Sequence, residues 1–160
     1  MKNKIAYFTM GISGSGKSSF IDKNLPGIIH LDSDKIKENL KGYNPLNPSL
    51  VHKRSKEILA RQFKKILKGN KSFCYDGTGT NAENLLYRID KARKKGFKII
   101  LIYCKTTLKL ALIRNKLRAR QVPEDIIKDK ARLIKYSFSI VKNYADKIII
   151  VDNTKKEFLK

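Results

Sequence analysis

Residues 11–18 read GISGSGKS and match the pattern G-x-x-x-x-G-K-[ST] at every fixed position. The backbone N–H groups of such a loop point inward at the phosphates of a nucleotide, and its glycines let the backbone come close to them. We expect Lys17 to reach the β- and γ-phosphates and Ser18 to offer its hydroxyl to Mg²⁺. The apolar run at residues 5–10 is typical of a buried strand, and residues 17–23 can begin a helix whose N-terminus favours an anion. The sequence therefore predicts a nucleotide-binding loop with these contact residues: Gly11, Ser13, Gly14, Ser15, Gly16, Lys17, Ser18 and Ser19.

The chain is strongly basic. It carries 36 Lys and Arg residues against 14 Asp and Glu residues, a formal net charge of +22 over 160 residues. A surplus of this size favours polyanionic partners such as nucleic acid, or phosphorylated substrates. Most of the surplus is lysine, so a lysine-biased composition without a binding role is an equally open interpretation. A chain of this length has room for one domain with a substantial core and little room for a second.

The few cysteines and histidines give no sign of a metal cluster or a catalytic pair. Cys74 and Cys104 lie in or just after apolar runs, and we expect both to be buried and reduced. His30 and His52 are isolated, and we interpret both as structural or surface residues. The first residues do not resemble a signal peptide, because the apolar run stops at Met10, and no apolar run approaches the length of a membrane span. We therefore expect a soluble cytoplasmic protein.

Strand-like runs alternate with helical patterns along the chain, which indicates βαβ units and a parallel sheet. The predicted strands are 4–10, 27–31, 71–76, 98–103 and 147–151. The predicted helices are 17–24, 33–40, 51–68, 82–95, 107–118 and 124–144. The predicted fold is α/β, a single P-loop NTPase-type domain over residues 1–153 with a five-stranded parallel sheet flanked by helices. A charged tail follows at 154–160.

A phosphate-binding loop alone does not separate a kinase from a switch GTPase or a motor, so other residues must decide. The first informative cluster, Asp32-Ser33-Asp34, lies where the second strand ends, and ligands of open α/β sheets bind beyond the carboxyl ends of the strands. Asp34 could accept a proton from an attacking hydroxyl or orient it toward the γ-phosphate. Either aspartate could instead cap the next helix, and we expect one to cap and the other to face the substrate. Lys37, one turn after Asp34, would then lie near an acceptor phosphate.

The second cluster follows the third strand and begins at Asp76. This position suits an acidic residue that holds Mg²⁺ or contacts the acceptor substrate. Gly77 and Gly79 allow a tight turn, and Thr78 and Thr80 supply hydroxyl groups. Asn81 or Thr80 could equally cap the next helix.

The third cluster contains Arg114, Arg118 and Arg120. The first two are four residues apart, so we expect them on one helical face. The expected core stripe beside them consists of Leu110, Ile113 and Leu117. Pro123 ends the helix, so residues 118–123 could form a mobile lid whose arginine stabilises charge on the γ-oxygens. The alternative interpretation is a solvated basic helix end.

With these clusters the chain resembles small P-loop kinases of the polynucleotide 5′-kinase and zeta-toxin group, over about residues 4–153. In that group an acid ends the second strand, here Asp34, and another ends the third, here Asp76. A helix with spaced arginines follows, here Arg114 and Arg118, and leads to a lid ending in Val-Pro-Glu-Asp, here residues 122–125. The Asp-Gly-Thr-Gly stretch is similar to the Glu-Gly-Thr-Gly of zeta-toxins. The spacing of the arginines is similar to that of phage polynucleotide kinases.

The resemblance implies ATP, Mg²⁺ and a hydroxyl acceptor. It implies that Asp34 acts as general base and that Lys17 and Arg118 neutralise the charge of the transferred group. ATP would also contact Arg114, and Mg²⁺ would be held by Ser18 and Asp76. The implied acceptor contacts are Asp34, Lys37, Asp76 and Thr78. Polynucleotide kinases usually have arginine at the place of Lys37, which cannot make a bidentate contact, and the chain lacks the C-terminal extension of zeta-toxins.

Three hypotheses follow from the sequence. The first is an ATP-dependent kinase acting on the 5′-hydroxyl of DNA or RNA, with nucleic acid favoured by the net charge. The second is a zeta-toxin-like kinase acting on a nucleotide sugar, UDP-N-acetylglucosamine, or another small metabolite. The third is a nucleotide-gated binding module that phosphorylates nothing.

Overall fold

The computed structural model describes residues 3–155, so residues 156–160 of the predicted tail lie outside the described part of the chain. The strands are β1 (Ile5–Met10), β2 (Ile29–Asp32), β3 (Phe73–Asp76), β4 (Lys98–Lys105) and β5 (Lys147–Asp152). All five lie in one parallel sheet with the spatial order β2-β3-β1-β4-β5. The prediction of an α/β domain with a five-stranded parallel sheet is confirmed.

Six helices connect these strands: α1 (Lys17–Asn24), α2 (Ser33–Glu38), α3 (His52–Ile66), α4 (Ala82–Lys94), α5 (Leu108–Lys116) and α6 (Glu124–Val141). Short 3₁₀ turns at Pro48–Val51 and Lys142–Tyr144 precede α3 and follow α6. Each predicted helix is present, with ends that differ by less than one turn. Within residues 3–155, no helix combines the length and the apolar character needed to cross a membrane.

The carboxyl ends of the strands meet along one edge of the sheet. In the register of the ladder, Met10 at the end of β1 lies opposite Tyr103 of β4, and Asp32 at the end of β2 lies opposite Asp76 at the end of β3. The phosphate-binding loop follows β1 directly, in the middle of this edge. The loop and both acidic clusters therefore lie on the same side of the molecule.

The sheet is buried on both faces at its centre, as expected for parallel strands covered by helices. β4 has six consecutive buried residues, 99–104, and Phe8 of β1 is fully buried. Phe73 of β3 packs against three rings, with centroid distances of 6.1 Å to Phe8, 5.9 Å to Phe63 and 5.2 Å to Phe97. Both cysteines are buried and unpaired, as predicted.

The C-terminal end of α5 differs from the prediction. The helix ends at Lys116, so Arg118 lies beyond it and does not share a helical face with Arg114. The predicted core stripe is wrong at two of its three positions, because Ile113 is 37% exposed and Leu117 is 76% exposed. The buried residues of α5 are Leu110, Ala111 and Asn115. On the buried face of α5, Ala111 therefore lies against the phosphate-binding loop, and the Asn115 amide bonds the segment that follows the helix.

The aromatic cluster around Phe73 predicts a large stability loss on truncation. We expect Phe73→Ala to lower the free energy of unfolding by about 3–5 kcal/mol, because the ring has no exposed surface and leaves a cavity. Urea denaturation followed by circular dichroism measures the change. The matched control is Tyr136→Ala, since Tyr136 is 68% exposed, and its effect should stay within about 0.5 kcal/mol. Equal losses in the two variants would contradict the assignment of Phe73 to the core.

Candidate active site

The loop between β1 and α1 has the backbone geometry of a phosphate cradle. Gly14 has φ +82°, and a Cβ there would lie 2.8 Å from the Ala111 carbonyl oxygen on α5. Gly16 has φ +92° and precedes α1 without a side-chain cap, so the first N–H groups of that helix have no side-chain acceptor from it. Such N–H groups at a helix start are suited to an anion. The residues present therefore fit the phosphates of a nucleotide.

Lys17 folds back across the loop. Its Nζ donates hydrogen bonds to the carbonyl oxygens of Gly11 at 2.8 Å and Ile12 at 3.2 Å. Burial lowers the pKa of Lys17, although the charge of Asp76 opposes the shift. An ammonium group withdrawn from water in this way gains stabilisation from a nearby anion, which is what a bound phosphate supplies.

The serines of the loop divide into buried and exposed positions. Ser15 is fully buried, and its hydroxyl has no hydrogen-bond partner among the described residues. Its carbonyl oxygen accepts a hydrogen bond from Asn153 at 2.8 Å. Ser18 and Ser19 lie exposed in the first turn of α1, and Ser13 is half-buried at the outer side of the loop. The predicted contacts of these serines with nucleotide and Mg²⁺ stay predictions.

Two of the predicted arginines reach the loop from the α5 side. Arg114 donates to the Gly14 carbonyl oxygen at 3.0 Å, to Thr106 at 3.2 Å and to the Asn153 carbonyl oxygen at 3.3 Å. Arg118 donates to the Ser13 hydroxyl at 3.1 Å. Arg114 thus braces the backbone of the loop, whereas Arg118 touches a side chain at its outer surface.

The segment 117–123 connects α5 to α6, and an asparagine of α5 holds its far end. Asn115 is 2% exposed, donates to the Val122 carbonyl oxygen at 2.8 Å and accepts from the Val122 N–H at 2.9 Å. These two bonds satisfy a buried amide that would otherwise be costly. They fix the far end of the segment close to the helix from which it departs. Its predicted motion as a lid stays a prediction.

Of the two aspartates Asp32 and Asp34, one caps the next helix, and the role of the other toward a substrate stays a prediction. Asp32 caps α2, because its carboxylate accepts a hydrogen bond from the Asp34 N–H at 2.8 Å. Asp34 lies in the first turn of α2, and its side chain is 45% exposed. Asp34 is therefore the aspartate of this pair that does not cap α2.

Asp34 is bound by two cations in this structure. Arg120 Nη2 lies 2.6 Å from Asp34 Oδ2, and Lys37 Nζ lies 3.4 Å from Asp34 Oδ1. Burial by itself would raise the pKa of Asp34, but the hydrogen bond and charge of Arg120, aided by Lys37, hold that pKa at about 2. Lys37 is buried, so its ammonium group lies beside Asp34 rather than in open solvent.

Asp76 has both of its carboxylate oxygens bonded within the protein. Thr9 donates to Oδ1 at 2.8 Å, and His30 Nε2 lies 3.1 Å from Oδ2. Lys35 Nζ lies 3.0 Å from His30 Nδ1, and because an ammonium can only donate, Nε2 carries the proton given to Asp76. The interpretation of His30 as an isolated residue is therefore wrong. Burial would raise the pKa of Asp76, but the His30 hydrogen bond and the charge of Lys17 lower it.

The carboxylates of Asp32 and Asp76, at the ends of β2 and β3, offer the oxygen ligands that a hard cation such as Mg²⁺ prefers. Ligand atoms of His30, Asp32 and Asp76 lie within 4.8 Å of one another. Burial and the charge of Asp76 raise the pKa of Asp32, so a cation between the two would relieve their repulsion. Carboxylate oxygens suit Mg²⁺, whereas the His30 Nε2 that donates to Asp76 offers no lone pair. The donor set thus fits Mg²⁺ through the aspartates.

The turn after β3 joins the phosphate-binding loop to a large groove. The Gly11 N–H donates to the Thr78 carbonyl oxygen at 2.9 Å, and the Thr78 and Thr80 hydroxyls lie 3.1 Å apart. Asn81 caps α4 by accepting from the Asn84 N–H at 3.0 Å. From this turn a cavity of about 960 Å³ opens between α3 and α4. We call it the α3/α4 groove.

The charged residues that line the α3/α4 groove are almost all basic. Its walls carry one carboxylate, that of Asp76, and the following seven basic residues: Lys56, Lys64, Lys68, Arg88, Lys91, Lys95 and Lys130. The ratio of basic to acidic residues in the groove is therefore higher than the ratio of 36 to 14 in the whole chain. Within the described residues, no carboxylate lies within ion-pair distance of any of the seven. Two of them lie over tyrosine rings, Arg88 over Tyr75 at 4.6 Å and Lys91 over Tyr87 at 5.2 Å.

The contacts of three residues at this edge are not predicted from the sequence. The sequence places Arg120 in the arginine cluster and the predicted lid without a carboxylate partner, interprets His30 as structural or surface, and assigns nothing to Asn153. A polar residue just after a parallel strand is the signal that could have identified Asn153, because all five strands end at this edge. For the ion pair of Arg120 with Asp34, 86 residues apart, no local signal exists.

The loop, its lysine and the acids at the ends of β2 and β3 define a phosphate-binding α/β domain of the P-loop class. The chain belongs to the family AAA_33, described as an AAA domain, whose model matches residues 7–139. A comparison with curated proteins gives no match.

Solved structures show the same fold. A structure of the PezAT chromosomal toxin–antitoxin system of Streptococcus pneumoniae has a TM-score of 0.77 at 16% identity, over 94% of this chain and 67% of that chain. A complex of AvrRxo1-ORF1 and -ORF2 with ATP has a TM-score of 0.69 at 16% identity, over 87% and 51% of the two chains. A gluconokinase from Sinorhizobium meliloti has a TM-score of 0.58 at 14% identity, over 97% and 86%. The chain thus has the fold of small P-loop kinases and spans about half the length of the AvrRxo1 chain.

The ion pair with Arg120 predicts the titration of Asp34. We expect Arg120→Gln to raise the pKa of Asp34 from about 2 toward its ordinary value of 3.8, measured by carbon-13 NMR of the carboxyl group. Because the pKa of Asp34 is lower in the folded protein, the ion pair stabilises the fold at pH values above 3.8. This stabilisation is lost as the pH falls toward 2. The stability difference between wild type and variant should therefore narrow as the pH is lowered from 4.

Asp76 serves as the internal control for this titration, because His30 and Lys17, and not Arg120, lower its pKa. It should titrate alike in both proteins. An unchanged pKa of Asp34 in the variant would contradict the ion pair.

Proposed function

We propose that this protein is an ATP-dependent kinase that transfers the γ-phosphoryl group to a hydroxyl, with the 5′-hydroxyl of DNA or RNA as the acceptor. The observation that carries the proposal is the path of the segment 117–123. Its Arg118 contacts Ser13 of the phosphate-binding loop and its Arg120 contacts Asp34. One short segment thus touches both the donor loop and the acid, which supports a single site for phosphoryl transfer.

In the proposed reaction the acceptor oxygen forms a bond to the γ-phosphorus while the bond from that phosphorus to the β,γ-bridging oxygen breaks. The acceptor proton passes to Asp34, and ADP leaves. Lys17 and Arg118 neutralise the negative charge spread over the γ-oxygens. Arg114 supports this indirectly, because it fixes the Gly14 carbonyl and thereby the shape of the loop. Mg²⁺, when bound near Ser18 and the aspartates, would supply further charge neutralisation.

The α3/α4 groove supports an acceptor that carries several phosphates. Lys56 and Lys64 are eight positions apart on α3, roughly 12 Å along the helix axis, which exceeds the reach of one phosphate. Arg88 and Lys91 of α4 face the same cavity with tyrosine rings beside them. Cations interleaved with aromatic rings are the usual means of binding a single strand. The groove begins at Ser33 and Asp76, beside the proposed base.

The direct test is phosphorylation of an oligonucleotide. We would incubate the protein with γ-labelled ATP and DNA or RNA bearing a 5′-hydroxyl, over a range of salt concentrations. Label at the 5′ end is the expected result. An oligonucleotide with a 5′-phosphate is the control and should stay unlabelled. Absence of label from the 5′-hydroxyl strand at every salt concentration would refute this acceptor.

Lys17 and Asp34 should be essential for turnover. We expect Lys17→Ala and Asp34→Ala each to lower turnover by at least ~10², since one removes charge stabilisation and the other the proton acceptor. The matched controls are Lys23→Ala and Asp22→Ala on the exposed side of α1, which should leave turnover unchanged. Thermal melting checks that the variants are folded. Turnover like that of wild type in either site variant would refute the assignment.

The groove lysines should affect the acceptor and not ATP. We expect the triple variant Lys64→Ala/Lys68→Ala/Lys91→Ala to raise the KM for the oligonucleotide by about 10-fold. The salt dependence of that KM should also weaken, because the variant neutralises fewer phosphates and binding then releases fewer counterions. The KM for ATP should stay the same. The control triple Lys109→Ala/Lys135→Ala/Lys142→Ala removes equal charge outside the groove lining. An equal effect of the two triples would mean that only net charge matters.

A second candidate is a kinase of the zeta-toxin kind acting on a nucleotide sugar. The likeness to the PezAT structure favours it. The diphosphate of such a substrate could also use groove cations. Phosphorylation of UDP-N-acetylglucosamine, together with growth arrest that Asp34→Ala relieves, would support this candidate over the first.

A further inference from the structure

The proposed base is not free in this structure. Arg120 occupies Asp34 Oδ2 at 2.6 Å, and Lys37 lies 3.4 Å from Oδ1. The Arg120 side chain is 19% exposed, so the cation of the pair is largely shielded from water, whereas the Asp34 side chain is 45% exposed. A charge-assisted bond of this length is among the stronger contacts available to a carboxylate.

The pair with Arg120 opposes proton transfer to Asp34. A carboxylate that binds a guanidinium group gives up lone pairs that an incoming hydroxyl needs, and its negative charge is already compensated. Asp34 is therefore a poor proton acceptor while Arg120 is bound. The same would hold for any oxygen nucleophile, water included.

The two cations on Asp34 differ in how they can leave it. Lys37 lies three residues further on α2 and is buried, so it belongs to the same rigid element as Asp34. Arg120 comes from the segment 117–123, outside any helix, and this segment is anchored on either side of Arg120 by Arg118 on Ser13 and by Val122 on Asn115. A rotation of the Arg120 side chain can break its pair without moving either anchor.

We propose that Arg120 keeps Asp34 inactive until an anionic acceptor enters, and that a phosphate of the acceptor then draws Arg120 away and frees the base. The inference rests on the proposed function of Asp34. Arg120 is then the residue that directs phosphoryl transfer to the acceptor hydroxyl and away from water. It is a positioning residue, because it acts through Asp34.

The reaction that the pair suppresses is hydrolysis. In it a water oxygen forms a bond to the γ-phosphorus, the bond to the β,γ-bridging oxygen breaks, and one water proton passes to Asp34, giving ADP and phosphate. Without Arg120 the base would be available to water at all times. The ratio of hydrolysis to transfer therefore reports the role of Arg120, and a merely structural role would lower both rates together.

The test compares ATP hydrolysis without acceptor in wild type, Arg120→Gln, Asp34→Asn and the double variant. We expect Arg120→Gln to raise hydrolysis at least ~10-fold, a part of what a freed general base contributes. The double variant should return to the wild-type rate or below, because the gain passes through Asp34. Arg120→Lys should lie between wild type and Arg120→Gln, since lysine keeps the charge without the fork. The control Arg132→Gln, at an 80% exposed side chain, should change nothing.

A second readout uses no catalysis. Adding a 5′-hydroxyl oligonucleotide to the nucleotide-free protein should shift the carbon-13 resonance of the Asp34 carboxyl in wild type. In Arg120→Gln the same addition should leave it in place. This measurement keeps the inference testable even if a variant turns over poorly.

Two failures can be told apart. If Asp34→Asn abolishes transfer while Arg120→Gln hydrolyses ATP no faster than wild type, the inference about Arg120 is overturned and the proposed kinase stands. If Asp34→Asn changes neither transfer nor hydrolysis, the proposed role of Asp34 is overturned, and the inference falls with it.

Discussion

The contact between the phosphate-binding loop and α5 fixes the geometry of the whole edge. Gly14 approaches the Ala111 carbonyl so closely that a Cβ at position 14 would lie 2.8 Å from that oxygen. Only glycine suits position 14, because the backbone there is left-handed with φ +82° and a Cβ would meet the α5 backbone. Because α5 lies against the loop, Arg114 can bond the Gly14 carbonyl, and the segment that leaves α5 begins beside Ser13. The packing of α5 against the loop thus places Arg114 and Arg118 beside it.

The surplus of positive charge is distributed unevenly across the site. Lys17 is a half-buried cation stabilised by carbonyl oxygens and by the charge of Asp76, so it is suited to an anion within the loop. Arg120 and Lys37 have a carboxylate partner, whereas the lysines of the α3/α4 groove have none within the described residues. An unpaired row of solvated cations costs little by itself but repels neighbours of like charge, and a polyanion relieves that repulsion.

The sequence was informative wherever a local pattern carries the structure. The alternation of strands and helices, the loop at residues 11–18 and the acids after β2 and β3 were all predicted at their observed places, because hydrophobic periodicity and strand ends are local signals. The alternative roles of Asp32 and Asp34 could be named but not assigned, since a cap and a substrate-facing acid look alike in sequence.

The wrong prediction for the end of α5 also arises because two different structures fit one sequence pattern. Leucine at residue 117 fits a helical stripe, but the helix ends one residue earlier and leaves the side chain in solvent.

Contacts between distant residues were beyond the reach of sequence patterns, and they decide the electrostatics of the site. His30 bonds Asp76 across neighbouring strands, 46 residues apart, and Arg120 bonds Asp34 across 86 residues. Each contact alters the charge state of an acid whose position was predictable but whose environment was not. Asp76 accepts hydrogen bonds from Thr9 and His30, and the charge of Lys17 also favours its carboxylate form. Asp34 instead forms a direct ion pair with Arg120, which compensates the negative charge of the Asp34 carboxylate. In the proposed function the two acids at this sheet edge have different partners, since Asp76 would hold Mg²⁺ and Asp34 would accept a proton once Arg120 has moved.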